Sequence, residues 1–330
     1  MKNSRVRRGV AFAAACAFVF LAAHAPADAD GAYPNKTVRL IVPFAPGGAV
    51  DILSRVLAKS YGEQLKQTVI VENRPGANGN LAADTVAKAE PDGSTLLLGT
   101  NGTHATNAAL YKRLTFDPVA DFTPIGLAVT IPHVVVVNAD LPVHSIAELI
   151  RYAKDNPGKL SFGSAGSGSS LHLAAELFDT MAGIKMLHVP YRGGALAVAD
   201  LLADRTQVMF AVVPLVLQHI RAGKLRALAV TSSKRSTLLP DIPTISETVL
   251  PGYEAIAWVG ILAPAKTPPD FVAKVNAATK QALGDKETRK LLELQGFEIV
   301  TGTPADFKGF IATETAKWTK VVRDSHVEIE

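Results

Sequence analysis

The sequence predicts an α/β fold made of two lobes that face each other across a cleft, and three observations support this prediction. Short apolar runs rich in β-branched residues alternate with segments of helical periodicity, which is typical of parallel sheets covered by helices. Two glycine-rich loops, at 43–48 and 163–169, each follow a predicted strand and precede a predicted helix. An extended segment at 117–137 separates the two units and predicts a crossing of the chain from one lobe to the other.

The first 29 residues have the pattern of an export signal. Four basic residues precede an apolar segment at 10–23, and Ala27-Asp28-Ala29 matches a small-x-small cleavage site. The apolar segment is too short for a comfortable membrane span. We therefore expect residues 1–29 to be a signal peptide of the general secretory route, and the mature chain to begin near Asp30 as a soluble periplasmic monomer.

Removal of the signal peptide changes the charge of the chain and its thiol chemistry. It takes away four of the 34 Lys and Arg residues and one of the 30 Asp and Glu residues, so the mature chain carries a net charge of about +1. A nearly neutral chain gives no reason to expect a nucleic-acid partner. Cys16 is the only cysteine and lies in the removed segment, so no disulfide or thiolate metal site is expected.

The first α/β unit begins at the apolar run 38–42. Its strands are predicted at 38–42, 68–72 and 95–98, and its helices at 52–64 and 81–89. Gly47 and Gly48 lie at the first strand-to-helix corner, where a ligand can approach backbone N–H groups that carry partial positive charge. The same corner is also compatible with a plain turn.

The polar loop 99–103 follows the third predicted strand. Ligands of open parallel sheets bind beyond the carboxyl ends of the strands. We therefore expect this loop and the corner at Gly47 and Gly48 to share one edge of the sheet.

The second α/β unit repeats the pattern with hydroxyl groups added to the loop. Its strands are predicted at 134–137, 160–162, 188–189, 208–213 and 225–230, and its helices at 145–156, 170–181, 195–203 and a segment ending at 222. Ser145 with Glu148 has the pattern of a capping box. The loop 163–169 places serine hydroxyls at a helix start, which suits a carboxylate.

The rest of the chain returns to the first lobe. A strand is predicted at 255–262 and helices at 270–283, 286–295 and 305–322, the last capped by Thr303 with Pro304 at its first position. The predicted domains are residues 30–130 with 254–330 for lobe 1 and residues 131–253 for lobe 2. A chain that crosses and returns predicts two hinge strands between the lobes.

A series of short motifs runs in order through the whole mature chain. They lie at 43–48 with Asp51, 71–76, 91–93, 121–125, 164–168 with His172 and Leu173, 188–193, 223–231 and 258–264. Together they resemble the Bug-type extracytoplasmic solute receptors of tripartite tricarboxylate transporters. The resemblance implies a type II periplasmic-binding-protein fold that closes on a small carboxylated solute. Because nucleophile, metal and dinucleotide patterns are missing from the sequence, we expect no cofactor and no catalysis. The resemblance also implies membrane transporter subunits as partners.

One position departs from the family pattern. Many relatives carry an acidic residue after the phenylalanine that corresponds to Phe210, and this chain has Ala211. If that acid meets an amino group of the ligand in relatives, amino-acid ligands are disfavoured here.

The two glycine-rich corners and the neighbouring motifs give a set of candidate ligand contacts. These are Phe44, Ala45, Gly47, Gly48, Thr100, Asn101, Thr103, Ser164, Ala165, Gly166, Ser167, Ser169, His172, Tyr191, Arg192 and Phe210.

Most of these candidates also have a structural explanation. The serines could belong to a flexible turn, and the polar residues of the loop 99–103 could only cap the next helix. Tyr191 and Phe210 either line the cleft or lie in the core. Arg192 is either a solvated charge or a bidentate partner of a carboxylate. Asp51 in the first turn would repel an anion, so a helix-start role with an i,i+4 partner at Arg55 is favoured.

A metal site is not expected. His172 and Glu176 are one helical turn apart, but the sequence offers no confident third ligand. We instead expect His172 to form a hydrogen bond with the ligand or with the loop.

Two other classes of function fit the sequence less well than a receptor does. A periplasmic hydrolase would need a nucleophile elbow, but neither Ser164 nor Ser167 has glycines on both sides at the required spacing. The effector domain of a transcription regulator is disfavoured by the export signal and by the absence of a helix-turn-helix pattern. A periplasmic sensor that signals without a dedicated transporter remains an alternative that the sequence leaves open.

Overall fold

A computed structural model of the protein describes residues 36–325 and residue 327. The signal-peptide prediction lies outside the described residues. Within them, strands and helices alternate as the sequence predicts, and the α/β class is confirmed. In this part of the chain, no helix has both the length and the apolar character required to span a membrane.

The secondary-structure elements are as follows. The strands are β1 (Val38–Val42), β2 (Val69–Asn73), β3 (Thr95–Thr100), β4 (Phe122–Asn138), β5 (Ser161–Ser164), β6 (Leu187–Pro190), β7 (Val208–Val212), β8 (Leu225–Val230), β9 (Ile256–Pro264) and β10 (Glu298–Ile299). The helices are α1 (Ala49–Leu65), α2 (Asn80–Ala87), α3 (Asn107–Leu110), α4 (Ile146–Asp155), α5 (Ser170–Ala182), α6 (Gly194–Leu202), α7 (Val213–Arg221), α8 (Ile245–Thr248), α9 (Pro269–Gly284), α10 (Lys286–Leu294) and α11 (Pro304–Asp324).

The strand β4 connects the two sheets of the molecule. Its first half pairs antiparallel with β9 and β10, and its second half pairs antiparallel with β7 and β8. The change of partner falls between Pro132, which lies opposite Ile256, and His133, which lies opposite Val212. The extended segment that the sequence predicts is therefore one strand of 17 residues that belongs to both lobes.

The valine run at 134–137 shows why this strand is buried on both sides. Side chains alternate across a sheet, so Val134 and Val136 pack in one hydrophobic core while Val135 and Val137 pack in another. All four are fully buried. The sequence of a strand that is covered on both faces is a continuous apolar run rather than an alternation of apolar and polar residues.

Each lobe carries parallel strands next to β4 or β9. In the first, the order is β2, β1, β3, with β9 antiparallel to β3. In the second, β5 lies between β6 and β7 and is parallel to both. The carboxyl ends of β1 and β5 therefore lead directly into the two loops that the sequence singles out. We propose the lobe boundaries 30–130 with 254–330 and 131–253, because the pairing of β4 changes at Pro132 and His133.

The predicted helix caps can be compared with the structure. Ser145 caps α4 by accepting a hydrogen bond from the Glu148 N–H at 3.2 Å. The Glu148 carboxylate accepts from His144 N–H at 2.7 Å, one residue before the position that a capping box requires. Thr303 caps α11 as predicted. The Asp306 side chain accepts a hydrogen bond from the Thr303 backbone N–H, which completes a capping box.

The long C-terminal helix α11 is fixed to the sheet by one buried carboxylate. Glu314 Oε2 accepts hydrogen bonds from the Trp258 indole at 3.2 Å and from the Trp318 indole at 2.9 Å. Both indoles are almost completely buried, and Lys317 forms an ion pair with Glu314. Glu314 thus satisfies two indole donors that have no contact with water.

We predict that Glu314→Ala destabilises the protein more than Glu314→Gln. The alanine variant leaves two buried N–H groups without an acceptor, which costs roughly 2 to 3 kcal/mol in the free energy of unfolding. The glutamine variant retains a carbonyl oxygen at the same place and should lose less than about half of that. Urea unfolding followed by tryptophan fluorescence measures both. Equal losses for the two variants would contradict this role of Glu314.

Candidate functional site

The loop at 43–48 is held in place by the buried carboxylate of Asp51. Asp51 Oδ2 accepts hydrogen bonds from Gly47 N–H at 3.0 Å and from Arg55 Nε at 2.9 Å, and Oδ1 accepts from Asn73 Nδ2 at 2.9 Å. The Arg55 guanidinium and the Gly47 and Asn73 donors together outweigh burial and lower the pKa of Asp51 to about 2. Asp51 is thus a helix-start residue paired with Arg55, which confirms that interpretation of the sequence.

The surface of this loop is open to solvent. Phe44 is 38% exposed, and Ala45, Gly47 and Gly48 are exposed as well. Gly48 precedes the first residue of α1 and offers no side chain to cap the helix. This arrangement leaves the side of the loop that Asp51 does not occupy accessible to a ligand.

The polar residues after β3 are more buried than the sequence predicts. Thr103 is fully buried, accepts a hydrogen bond from Thr100 N–H at 2.9 Å and contacts His104 Nδ1 at 2.8 Å. Thr100 Oγ1 accepts weakly from Thr103 N–H at 3.4 Å. Both threonines therefore bind within their own loop, and we withdraw Thr103 from the ligand contacts. The Asn101 side chain has no hydrogen-bond partner among residues 36–325 and is the polar group this loop can offer.

Three loops of the first lobe meet at one edge of the sheet. A methyl group on Gly79 would lie 2.7 Å from Thr103 Cγ2 and 3.0 Å from Pro43 Cβ, so these three residues are in close contact. The loops that follow β1, β2 and β3 thus pack against one another, as expected for the carboxyl ends of parallel strands.

In the second lobe, Ser164 supports the glycine-rich loop from below. It is fully buried, and its Oγ lies 3.1 Å from Gly166 N, 3.1 Å from Gly166 O and 2.7 Å from His188 Nε2. With these partners the hydroxyl has no remaining donor, so the prediction that its side chain contacts a ligand is corrected to a structural role. Sequence alone could not separate Ser164 from the exposed Ser167 because both lie in one Gly/Ser run.

A stacked histidine pair lies behind the same loop. The rings of His172 and His188 are 3.7 Å apart and inclined by 7°. Gly168 N–H donates to His172 Nδ1 at 3.0 Å, so Nε2 carries the proton and faces Glu176 at 3.4 Å. His172 therefore binds the loop, which is one of the two roles predicted for it. Burial and the adjacent His172 lower the pKa of His188 to about 4, so this ring is neutral at physiological pH.

The start of α5 combines an open loop with an uncompensated helix dipole. Ser169 caps the helix by accepting from His172 N–H at 3.3 Å, and no acidic residue lies in the first turn. Ser167 is exposed, and its hydroxyl has no hydrogen-bond partner in the described part of the chain. Ala165 and Gly166 are partly exposed on the same loop. This turn can receive an anion through N–H groups and one free hydroxyl.

The loop after β6 packs on the loop after β5. Tyr191 N–H donates to Ser164 O at 3.2 Å, and its hydroxyl donates to Asp200 Oδ2 at 2.8 Å. The half-buried Tyr191 is thus anchored beside the candidate site. Arg192 is exposed and forms no ion pair within the described residues.

Phe210 does not belong to the site. It is fully buried and packs against Phe178 with a ring-centroid distance of 5.6 Å. Of the two alternatives left open by the sequence, the core position is the one observed, and we withdraw Phe210 from the ligand contacts. Ala211 is fully buried next to it, one residue before the end of β7.

The described residues provide no group of three or more His, Cys, Asp or Glu side chains that could hold a metal ion. Both His172 and Glu176 already have other partners. Gly168 N–H donates to His172 Nδ1, and the Lys185 ammonium lies 3.1 Å from Glu176 Oε2. Burial opposes ionisation of Glu176, but hydrogen bonds from His172 and Lys185 outweigh it and lower its pKa.

Comparisons with known proteins agree with this architecture. A family model described as the tripartite tricarboxylate transporter family receptor matches residues 53–327. BugT of Bordetella pertussis is 37% identical over 307 residues, which cover 93% of this chain and 94% of BugT. The structure of R. palustris Rpa4515 with adipate has a TM-score of 0.78 and 38% identity, and covers 90% of this chain and 100% of that one.

A second solved structure, MatC (Rpa3494) from Rhodopseudomonas palustris with bound malate, has a TM-score of 0.75 and 32% identity. It covers 88% of this chain and 100% of that one. The two-lobed α/β fold and these likenesses define a solute-binding protein of the periplasmic-binding-protein class, not an enzyme. The chain belongs to the tripartite tricarboxylate transporter receptor family, and the resemblance to its Bug-type members is confirmed.

A buried carboxyl group on α5 adds a pH-dependent feature to the second lobe. Asp179 Oδ2 accepts from Met186 N–H at 2.7 Å, while Oδ1 has no partner among the described residues. Burial raises the pKa of Asp179 to about 7, the Met186 hydrogen bond opposes the increase, and the charge of Glu176 adds to it.

We predict that Asp179→Asn makes the stability of the protein less sensitive to a rise in pH from about 5 to about 8. A folded pKa near 7 means that the contribution of Asp179 to stability is present below about pH 4 and is lost as the pH rises through about 7. Asparagine resembles the neutral acid at every pH. The variant should gain more than about 1 kcal/mol over the parent between about pH 5 and pH 8. Thermal unfolding at both pH values measures this, and a difference that does not change with pH would contradict it.

Proposed function

We propose that the protein captures a small carboxylate in the cleft between the loop at 43–48 and the loop at 163–169. The observation that carries this proposal is the start of α5, where a neutral serine cap, a free Ser167 hydroxyl and a helix dipole without an acidic neighbour combine. Backbone N–H groups at such a terminus favour a carboxylate. The adipate and malate bound by two relatives of this chain are acids of this kind.

The proposed contacts follow from accessibility in the described residues. Open to a ligand are Phe44, Ala45, Gly47, Gly48, Ala165, Gly166, Ser167, Ser169, Tyr191 and Arg192. Asn101 is buried, but its side chain has no hydrogen-bond partner in the described part of the chain, so we include it as a polar contact. Thr100 and His172 support the loops from within and act on the ligand through them. Charge-assisted hydrogen bonds contribute about 1.5 to 3 kcal/mol each, so three or four of them supply the roughly 8 kcal/mol that micromolar binding requires.

The expected solute is an organic acid without an amino group. Ala211 offers no charge to an ammonium group, and it is buried near the end of β7. The solute class therefore comprises di- or tricarboxylates and aromatic acids. Arg192, exposed and without an ion pair in the described part of the chain, is available for a second carboxylate.

The transport role adds a movement of the lobes. A ligand that contacts both lobes stabilises the closed arrangement, in which the strands that cross between them act as hinges. The closed protein then presents a different outer surface to the membrane subunits of a tripartite tricarboxylate transporter. The receptor acts in the periplasm as a monomer.

We predict that Gly48→Val weakens binding of the acid more than Ser167→Ala. Gly48 has ordinary backbone angles, and an added Cβ would meet no atom closer than Ala45 O at 3.9 Å, so the fold tolerates valine. The valine side chain covers the backbone that the ligand approaches, and we expect a loss of tenfold or more, roughly 1.4 kcal/mol. Loss of one hydroxyl should cost about 0.5 to 1.5 kcal/mol.

The measurement is calorimetric titration with adipate, malate and further small carboxylates. Gly309→Val is the matched control, because Gly309 lies on the exposed side of α11 with no atom within 4 Å of an added Cβ. If both site variants bind the acid as tightly as the parent does, the ligand site lies elsewhere and the prediction is wrong.

We also predict that the exported protein begins near Asp30. The signal-peptide pattern requires small residues at positions 27 and 29, so a bulky residue at Ala29 should impair cleavage. N-terminal sequencing of the periplasmic fraction checks the start of the parent, with Ala29→Leu as the comparison. Recovery of a periplasmic form that retains Arg7 and Arg8 would contradict the prediction.

A further inference from the structure

The residue His133 occupies the point where β4 passes from one lobe to the other. It is fully buried. Its backbone N–H donates to Thr231 Oγ1 at 2.8 Å, and its carbonyl oxygen accepts from Thr231 N–H at 2.9 Å. Thr231 directly follows β8, and its own carbonyl accepts from Ala255 N–H at 3.0 Å, directly before β9. The outgoing and the returning chain are thus joined through His133 and Thr231.

The imidazole of His133 extends this connection in two directions. Nδ1 lies 3.3 Å from Ala255 O, and Nε2 lies 3.2 Å from Ser170 Oγ. A carbonyl oxygen can only accept, so Nδ1 carries the proton and Nε2 is the acceptor. Ser170 therefore donates its hydroxyl hydrogen to His133. Burial lowers the pKa of His133 to about 4, which keeps this neutral tautomer at physiological pH.

Ser170 is the first residue of α5, next to the cap Ser169. Its hydroxyl is committed to His133, so the ring holds the turn that presents N–H groups to the cleft. In the described part of the chain, one side chain thus reaches the two strands that cross between the lobes and the first residue of α5.

We propose that His133 is a positioning residue, which fixes the first turn of α5 relative to both crossings and so sets the geometry of the anion-binding turn. This rests on the proposed function for the role of that turn, but the contact itself can be tested without a ligand. The side chain acts through Ser170 and does not touch the solute.

The first test is amide hydrogen exchange of the ligand-free protein at His172 and Leu173, whose N–H groups donate to Ser169, compared with the distant helix α9. Ser170→Ala removes only the hydroxyl that reaches His133, and His133→Leu removes the ring acceptor at similar volume. We expect both variants to exchange several-fold faster at the start of α5 than the parent, while α9 is unchanged. Ser167→Ala is the matched control and should behave as the parent, because its hydroxyl binds no described residue.

Unchanged exchange at His172 and Leu173 in Ser170→Ala would overturn the proposal, even if His133→Leu failed to fold. Equal acceleration in Ser167→Ala would also overturn it, because the effect would then belong to any serine of the loop.

The second test is a double-mutant cycle on the dissociation constant for adipate, or for whichever acid of the panel the parent binds. We expect each single variant to bind two- to tenfold more weakly, which is the range of one hydrogen bond. The double variant should bind the acid with the same dissociation constant as the single variant of lower affinity, because both changes remove the same hydrogen bond between His133 and Ser170. Multiplicative losses would overturn the link between His133 and the ligand-binding turn. If the parent binds no acid, the proposed function fails, and the exchange experiment still decides the contact.

Discussion

The sharing of β4 between the two lobes is the constraint on which the rest of the structure depends. A strand of 17 residues is long enough to pair with β9 and β10 at one end and with β7 and β8 at the other. Buried backbone groups must find partners, and at the change from one sheet to the other the partners of His133 come from Thr231. The crossing is therefore ordered by hydrogen bonds within an apolar region, and the orientation of both sheets follows from it.

The position of the candidate site follows from this arrangement. In each lobe, parallel strands deliver their carboxyl ends to one edge, where β1 is followed by α1 and β5 by α5. Polar side chains beneath these loops accept hydrogen bonds from the loop backbone and are not available to a solute. Asp51 accepts from Gly47 N–H, Ser164 from Gly166 N–H, and His172 from Gly168 N–H. The groups left for a solute are main-chain N–H groups, exposed apolar atoms and a few free polar side chains.

Much of this could be predicted from the sequence, and the failures have physical causes. Periodicity and turn residues were sufficient for the strand–helix alternation and for the Asp51 pair with Arg55, because these depend on residues close in sequence. The burial of Ser164, Thr103 and Phe210 depends on the packing of distant elements, which local pattern does not contain. His133 was missed because it lies in an apolar strand, and its partners Ser170, Thr231 and Ala255 are distant in sequence.

The two helix starts differ in charge, and this difference bears on which lobe receives an anion. At α1, the carboxylate of Asp51 already occupies the positive end of the dipole and uses the Gly47 N–H. Its negative charge is balanced by Arg55, whose side chain is 59% exposed and therefore screened by water. At α5, the cap is the neutral Ser169. We therefore propose that an anion binds at α5, while the exposed Phe44 and the buried Asn101, whose side chain has no hydrogen-bond partner in the described part of the chain, suit the uncharged portion of a solute.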